Sequence, residues 1–256
     1  MRIIISPAKK MNTDTDTLAP EGLPVFLDKT KELLEWMRRL TPGEAQSLWK
    51  CNDRIAEQNY RRFQEMNLTR GLTPAVISYE GIQYQYMAPA VFGGAETDYI
   101  RGHLRILSGF YGVLKPFDGV APYRLEMQAK ASDEGDLYRF WGDLIYREVT
   151  DGDHLILNLA SKEYSRCVEK YLQPEDTYLT CVFADLVDGK VKQKGTFAKM
   201  ARGEMVRFLA ENQVEEPEEI RGFDRLGYRF EERLSTEKEY VFIRNASETE
   251  NRNSLQ

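Results

Sequence analysis

A chain of 256 residues and 29.7 kDa, 42% hydrophobic and 30% charged, can bury a full core and falls in the ordinary globular class rather than the disordered or fibrous ones. Three scattered cysteines without a C-x-x-C pair, and two histidines, His103 and His154, in unrelated contexts, give neither a disulfide framework nor a zinc or histidine metal centre, so no metal and no cofactor is expected. The net charge of −6 speaks against a polyanion partner only on average: Lys190, Lys192, Lys194, Lys199, Arg202 and Arg207 stand against Glu204 alone, while the chain beyond Glu211 is acidic and masks them.

Ile3-Ile4-Ile5 reads as a buried strand ended by Ser6-Pro7, too short for a signal-peptide core or a membrane span, so a cytoplasmic protein without a membrane partner is expected. Residues 10 to 25 read as loop, and Leu27, Leu33, Leu34, Met37 and Leu40 recur at helical spacing. Thr41-Pro42-Gly43-Glu44 is a capping box that restarts a helix over 42 to 66, in one or two pieces. Ala75 to Tyr79 reads as a strand, and Thr97-Asp98 as the cap of a helix running through Leu107 to Ser108-Gly109. Leu137 to Val149 is helical in pattern, His154 to Leu159 a strand, and a further helix follows Ser161. Thr177 to Val187, Asp188-Gly189 and Lys190 to Lys194 have the form of a hairpin with an Asp-Gly turn, followed by a basic helix at about 196–212. Leu226 to Glu232 and Tyr240 to Arg244 read as closing strands.

Strands and helices alternate without a repeat or a linker. The expectation is one α/β (mixed α+β) domain over residues 1–245, with a central mixed sheet, surrounding helices and a polar tail at 246–256. Neither a Walker A loop nor a dinucleotide fingerprint follows the first strand.

Five constellations could carry chemistry. Ser6-Pro7-Ala8-Lys9 has the S-x-x-K spacing of a serine nucleophile and its base, or else caps a turn while Lys9 binds an anion at a strand end. Arg105, Ser108, Gly109, Gly112 and Lys115 suggest a helix-hairpin-helix element over about 97–122, whose exposed backbone N–H groups would hold a phosphate. The alternative is a helix-ending glycine with a buried aromatic turn. Two residues, Phe110 and Tyr111, separate these glycines where the usual pattern has one. Arg124 and Glu126 share one face of an extended segment, as a structural ion pair or as a guanidinium fork beside a carboxylate base. Asn158, Ser161 and Glu163 occupy a strand-to-helix junction that either borders a site or caps the helix. Lys199, Arg202 and Arg207 lie near one side of the basic helix, a solvated face or a phosphate-binding surface.

Ile5-Ser-Pro-Ala-Lys9, Leu107-Ser-Gly-Phe-Tyr-Gly-Val-Leu-Lys-Pro116, Pro122-Tyr-Arg-Leu-Glu-Met127, Phe140-Trp-Gly-Asp143, Asn158-Leu-Ala-Ser161 and Ala198-Lys-Met-Ala-Arg-Gly203 occur in this order over roughly residues 1 to 244. In them the chain resembles the YaaA family of bacterial peroxide-stress proteins. The resemblance implies a DNA-binding protein with its own α/β arrangement, a helix-hairpin-helix at Ser108 to Gly112 and a positively charged cleft lined by Lys9, Arg124, Lys199 and Arg202, linked to the protection of DNA during peroxide stress. The expected partner is duplex or branched DNA, bound without sequence preference or by structure. The alternative is an enzyme acting on a nucleobase, nucleoside or nucleotide-like small molecule in the same cleft, with Lys9 and Glu126 as candidate catalytic groups. Whether there is turnover stays open at this point.

Overall fold

The structure is a computed structural model that describes residues 1–131, 133, 135–187 and 190–244. Numbered along the chain, the strands are β1 (Arg2–Ile5), β2 (Lys10–Met11), β3 (Thr73–Pro74), β4 (Tyr79–Glu80), β5 (Leu104–Ser108), β6 (Gly112–Leu114), β7 (Gly119–Val120), β8 (Leu155–Leu159), β9 (Thr177–Val187), β10 (Lys190–Lys192), β11 (Tyr228–Phe230) and β12 (Glu239–Arg244). Eight of them build one mixed sheet in the order β11-β12-β9-β8-β1-β5-β6, with β10 paired to β9. Its five central strands are parallel. Antiparallel β6 and β11 close the two edges.

Ile3, Ile4 and Ile5 are fully buried because β1 has a neighbour on each side, with Ile3 paired to Leu104 on one and to Leu157 on the other. A central parallel strand is covered on both faces, which is why it reads as an unbroken apolar run instead of an alternating one. Taken in chain order, the five parallel strands lie 2-1-3-4-5. This is one of the two common orders of doubly wound sheets, and the chain reverses direction across the sheet between β1 and β8.

The helices are α1 (Leu27–Arg39), α2 (Pro42–Trp49), α3 (Asp53–Glu65), α4 (Ala75–Ser78), α5 (Ile82–Met87), α6 (Gly94–His103), α7 (Leu137–Trp141), α8 (Leu144–Val149), α9 (Lys162–Glu169) and α10 (Gly195–Asn212). The capping box forms as its spacing predicts, with the Thr41 N–H donating to Glu44 at 2.8 Å and the Glu44 N–H to Thr41 Oγ1 at 3.4 Å. Of the strand expected over 75–79, residues 75–78 are helical and only Tyr79 is in a strand, since so short a run as Ala-Val-Ile has no periodicity to decide between the two. The helix expected over 137–149 breaks at Gly142, where φ is +54°. Strands β9 and β10 pair antiparallel, and the Asp188-Gly189 turn expected between them lies outside the described residues, as does the tail expected at 246–256.

The helix-hairpin-helix expected over about 97–122 is not what the chain forms. The helix ends at His103, Leu104–Ser108 is a strand, and Gly109-Phe110-Tyr111 turns it into β6 with Ser108 opposite Gly112. The helical spacing of Ile100, Leu104 and Leu107 is overridden by β1, which recruits residues 104–106 as a sheet neighbour. Both glycines serve close packing. A side chain at Gly109 would sit 2.4 Å from the Leu125 carbonyl, and one at Gly112, where φ is +76°, 2.9 Å from the Trp141 ring. Trp141 Nε1 donates to the Gly109 carbonyl at 3.0 Å. Gly109→Ala is therefore expected to overpack the turn and lower stability by about 1–3 kcal/mol or more, read as a shift in the urea midpoint at unchanged slope; a midpoint equal to the parent's would contradict this packing role.

Candidate functional site

In an open α/β sheet, neighbouring strand ends diverge where the strand order reverses, and the crevice beyond their carboxyl ends is where ligands bind. Here the two ends are Ile5, followed by Ser6-Pro7-Ala8-Lys9, and Leu159, followed by Ala160-Ser161 and α9. One hydroxyl joins them: Ser6 Oγ accepts the Ser161 N–H at 2.8 Å and lies 3.2 Å from Ser161 Oγ. Ser161 caps α9 by position but makes no side-chain bond to the helix. Lys9 is paired with Glu126 at 3.2 Å, so the structure does not assemble a Ser6–Lys9 nucleophile pair.

A cavity of about 430 Å³ opens over this seam. From the residues singled out by sequence it gathers Ser6, Lys9, Ser161 and Glu163 from the two strand ends, Arg124 and Glu126 from the extended segment, and Lys199 and Arg202 from α10. Glu126 lies 3.1 Å from Arg124 and 3.2 Å from Lys9, and Arg124 and Glu126 are both nearly enclosed. Burial raises the Glu163 carboxyl above its usual range, and the Glu126 charge adds to this against the Gln128 N–H and Lys9.

The sequence reading did not single out Lys10, Glu80, Gln83, Tyr84, Tyr123 and Tyr164 as site residues, and they complete the polar part of the lining. Lys10 pairs with Glu80 across the β2–β4 ladder. Tyr84 OH donates to the Ser6 carbonyl at 3.0 Å. Helix α5, which carries Gln83 and Tyr84, packs on α10 so closely that a side chain at Gly203 would sit 2.1 Å from the Gln83 carbonyl. Burial holds the Tyr84 and Tyr164 phenols far above their usual range and that of Tyr123 up to about 12, so all three are neutral walls.

Three enclosed donors of this lining, Gln83 Nε2, Arg124 Nε and Arg202 Nε, have no hydrogen-bond partner among the described residues. Burial also lowers the Arg202 pKa, with only Cys181 opposing. A second depression, lined by Arg54, Gln58 and Arg62 among others and by no carboxylate among the described residues, adjoins the cavity and shares Lys9, Lys10 and Arg124 with it. Among the described residues no group of three or more His, Cys, Asp or Glu is placed to hold a metal ion, and no helix is long and apolar enough to cross a membrane.

Other predicted residues lie elsewhere. Asn158 is buried and turned onto its own strand end, accepting the Ala160 N–H at 2.9 Å and donating to Thr180 at 3.2 Å. Ser108 is fully buried, bonded to Tyr123 OH at 2.6 Å and to the Tyr111 N–H at 2.9 Å. Gly109 and Gly112 are enclosed in the turn. Arg105 donates to the Leu104 carbonyl at 2.8 Å and shares a small separate depression with Lys115, Asp118 and Glu148. None of these six lines the cavity.

Fold and site together define an α/β protein with the strand order of the doubly wound class and a partly enclosed, donor-rich cavity at the reversal point. The chain belongs to the peroxide stress protein YaaA family, whose profile matches residues 1–234. It is 57% identical to a UPF0246 protein of Agathobacter rectalis over 95% of this chain and 99% of the relative. UPF0246 proteins of Desulfitobacterium hafniense and Lachnoclostridium phytofermentans are 54% and 51% identical, with all of each relative and 97% and 98% of this chain covered.

The separate depression carries a pH signature. Burial raises Asp118 from 3.8 to about 6, against the Lys115 N–H and the Lys115 and Arg105 charges. The folded protein thus holds this proton more tightly than the unfolded chain does. The stabilisation is full below pH 3.8 and is lost as pH rises through about 6. Asp118→Asn should remove a fall of about 2–3 kcal/mol between about pH 4 and pH 7, measured by urea unfolding at both ends of that window; an unchanged slope in the variant would place the titration elsewhere.

Proposed function

We propose that this YaaA-family protein serves the peroxide-stress response by binding DNA phosphates along the cavity and its adjoining groove, without sequence preference or by preference for DNA structure. One observation carries the reading. Across the two depressions stand seven cations, Lys9, Lys10, Arg54, Arg62, Arg124, Lys199 and Arg202, against Glu80, Glu126 and Glu163. Such a run suits a polyanion, whose bound counterions are released as phosphates are neutralised. The backbone amides of 109–112 take no part, being enclosed in the hairpin turn.

A second reading is favoured by Glu163. Two carboxyls face one cavity, Glu126 engaged by two cations and Glu163 in surroundings that favour its neutral form. Two carboxyls at one cavity can supply the acid and the base of a reaction, as an enzyme acting on a nucleobase or nucleoside requires.

Fluorescence anisotropy of a labelled duplex and a branched junction at several salt concentrations tests the first reading. With four to six phosphates neutralised, log affinity should fall with log salt at a slope of roughly −4 to −5, and Arg54→Ala and Lys199→Ala should each reduce the slope by about one. Both side chains are exposed, so folding should survive. Absence of binding at low salt, or slopes identical to the parent's in both variants, would refute it. Product detected by mass spectrometry after incubation with nucleosides or oligonucleotides, lost in Glu126→Gln, would establish the second.

A further inference from the structure

The charges lining the cavity are unevenly compensated. Lys9 and Arg124 share Glu126, and Lys10 has Glu80. Lys199 and Arg202, three residues apart on one face of α10, have no carboxylate partner among the described residues, and Arg202 Nε is enclosed without any acceptor. An unpaired guanidinium with an adjacent ammonium is a seat for a phosphate, which it meets with two parallel N–H bonds. The polar lining also holds groups of another kind: the Ser6 and Ser161 hydroxyls, the Glu126 and Glu163 carboxyls, and the amide of Gln83, itself more than nine-tenths buried, whose Nε2 has no partner among the described residues. Acceptors and donors mixed in this way match the edge of a nucleobase, and neutral phenols beside them offer stacking walls. About 430 Å³ lies within the usual range for small-molecule sites, roughly 300–1,000 Å³, and is too small for stacked duplex.

We infer that the cavity receives one nucleoside monophosphate unit, its phosphate held by Lys199 and Arg202 and its base edge read by Glu126, Glu163 and Gln83. This deepens the DNA-binding reading and rests on it only for the source of the unit. A base extruded from a strand would enter the cavity while the neighbouring phosphates lie in the groove of Lys10, Arg54 and Arg62. A free nucleotide would fill the cavity alone.

The test titrates the full chain calorimetrically with the four deoxynucleoside 5′-monophosphates, the corresponding nucleosides and inorganic phosphate. A second arm uses single strands carrying one 2-aminopurine. At least one monophosphate should bind about tenfold or more tighter than its nucleoside and than phosphate, and Lys199→Ala and Arg202→Gln should each weaken it by about tenfold. Lys199 is exposed, so that variant keeps the test valid if Arg202→Gln unfolds. Strands that displace the bound monophosphate, or whose 2-aminopurine changes fluorescence on binding in a Lys199-dependent way, identify the unit as part of DNA; nucleotide binding without displacement identifies a free metabolite. Phosphate binding as tightly as every monophosphate reduces the site to an anion seat and overturns the inference. Silence of both the nucleotides and the 2-aminopurine also overturns it, and in that case Arg54-dependent, salt-sensitive duplex binding would still leave the DNA reading standing.

Discussion

The Ser6 hydroxyl accepting the Ser161 N–H closes a gap that the order of the strands opens. From β1 the chain goes to one side of the sheet to make β5 and returns to the other side to make β8, so the segments after Ile5 and Leu159 leave in different directions. Without a bond across them, the two ends would expose backbone groups to a widening crevice. With it, the crevice has a fixed base, and the residues just beyond each strand, Lys9 on one side and Glu163 on the other, face a common space. The rest of the cavity is fitted to this base: Tyr84 hydrogen-bonds the Ser6 carbonyl, and Gln128 donates to Glu163 at 3.4 Å.

The opposite wall depends on a contact made by the absence of a side chain. Gly203 lets α10 approach the backbone of α5, which brings Arg202 and Gln83 into the same cavity lining. Each buried donor left without a partner costs about 1–3 kcal/mol. Three donors without a partner among the described residues, Gln83 Nε2, Arg124 Nε and Arg202 Nε, stand around this one cavity.

How far the sequence led depended on what each residue's neighbours were. The local signals held: the capping box at Thr41, the apolar run of β1, and the strand-end positions of Ser6, Lys9, Ser161 and Glu163. All four of those strand-end residues reached the cavity because a strand end is a place that a linear reading can find. Gln83, Tyr84 and Glu80 were invisible for the opposite reason. They sit in a six-residue helix and a two-residue strand whose existence comes from packing against α10 and β2, residues far away in the chain. Gly109 and Gly112 misled because a glycine required by close packing and a glycine required by a phosphate turn look alike in one sequence. Asn158 stands at a junction that by sequence either borders a site or serves local structure, and the structure has its side chain bonding its own strand end.

The placement of β1 also shapes how the protein comes to be folded. Its partners are Leu104 to Ile106 and Ile156 to Leu159, so during synthesis the strand emerges long before either neighbour exists. Three consecutive isoleucines then wait as an unpaired apolar segment, and the sheet's centre can be laid down only after more than half the chain is made. Such long-range parallel pairing is slow because loop entropy is lost before the contacts that repay it are made. Until Leu104–Ile106 and Ile156–Leu159 are made, the strand that becomes the centre of the sheet has no partner on either side, and transiently exposed apolar segments of this kind are what makes incomplete chains prone to associate.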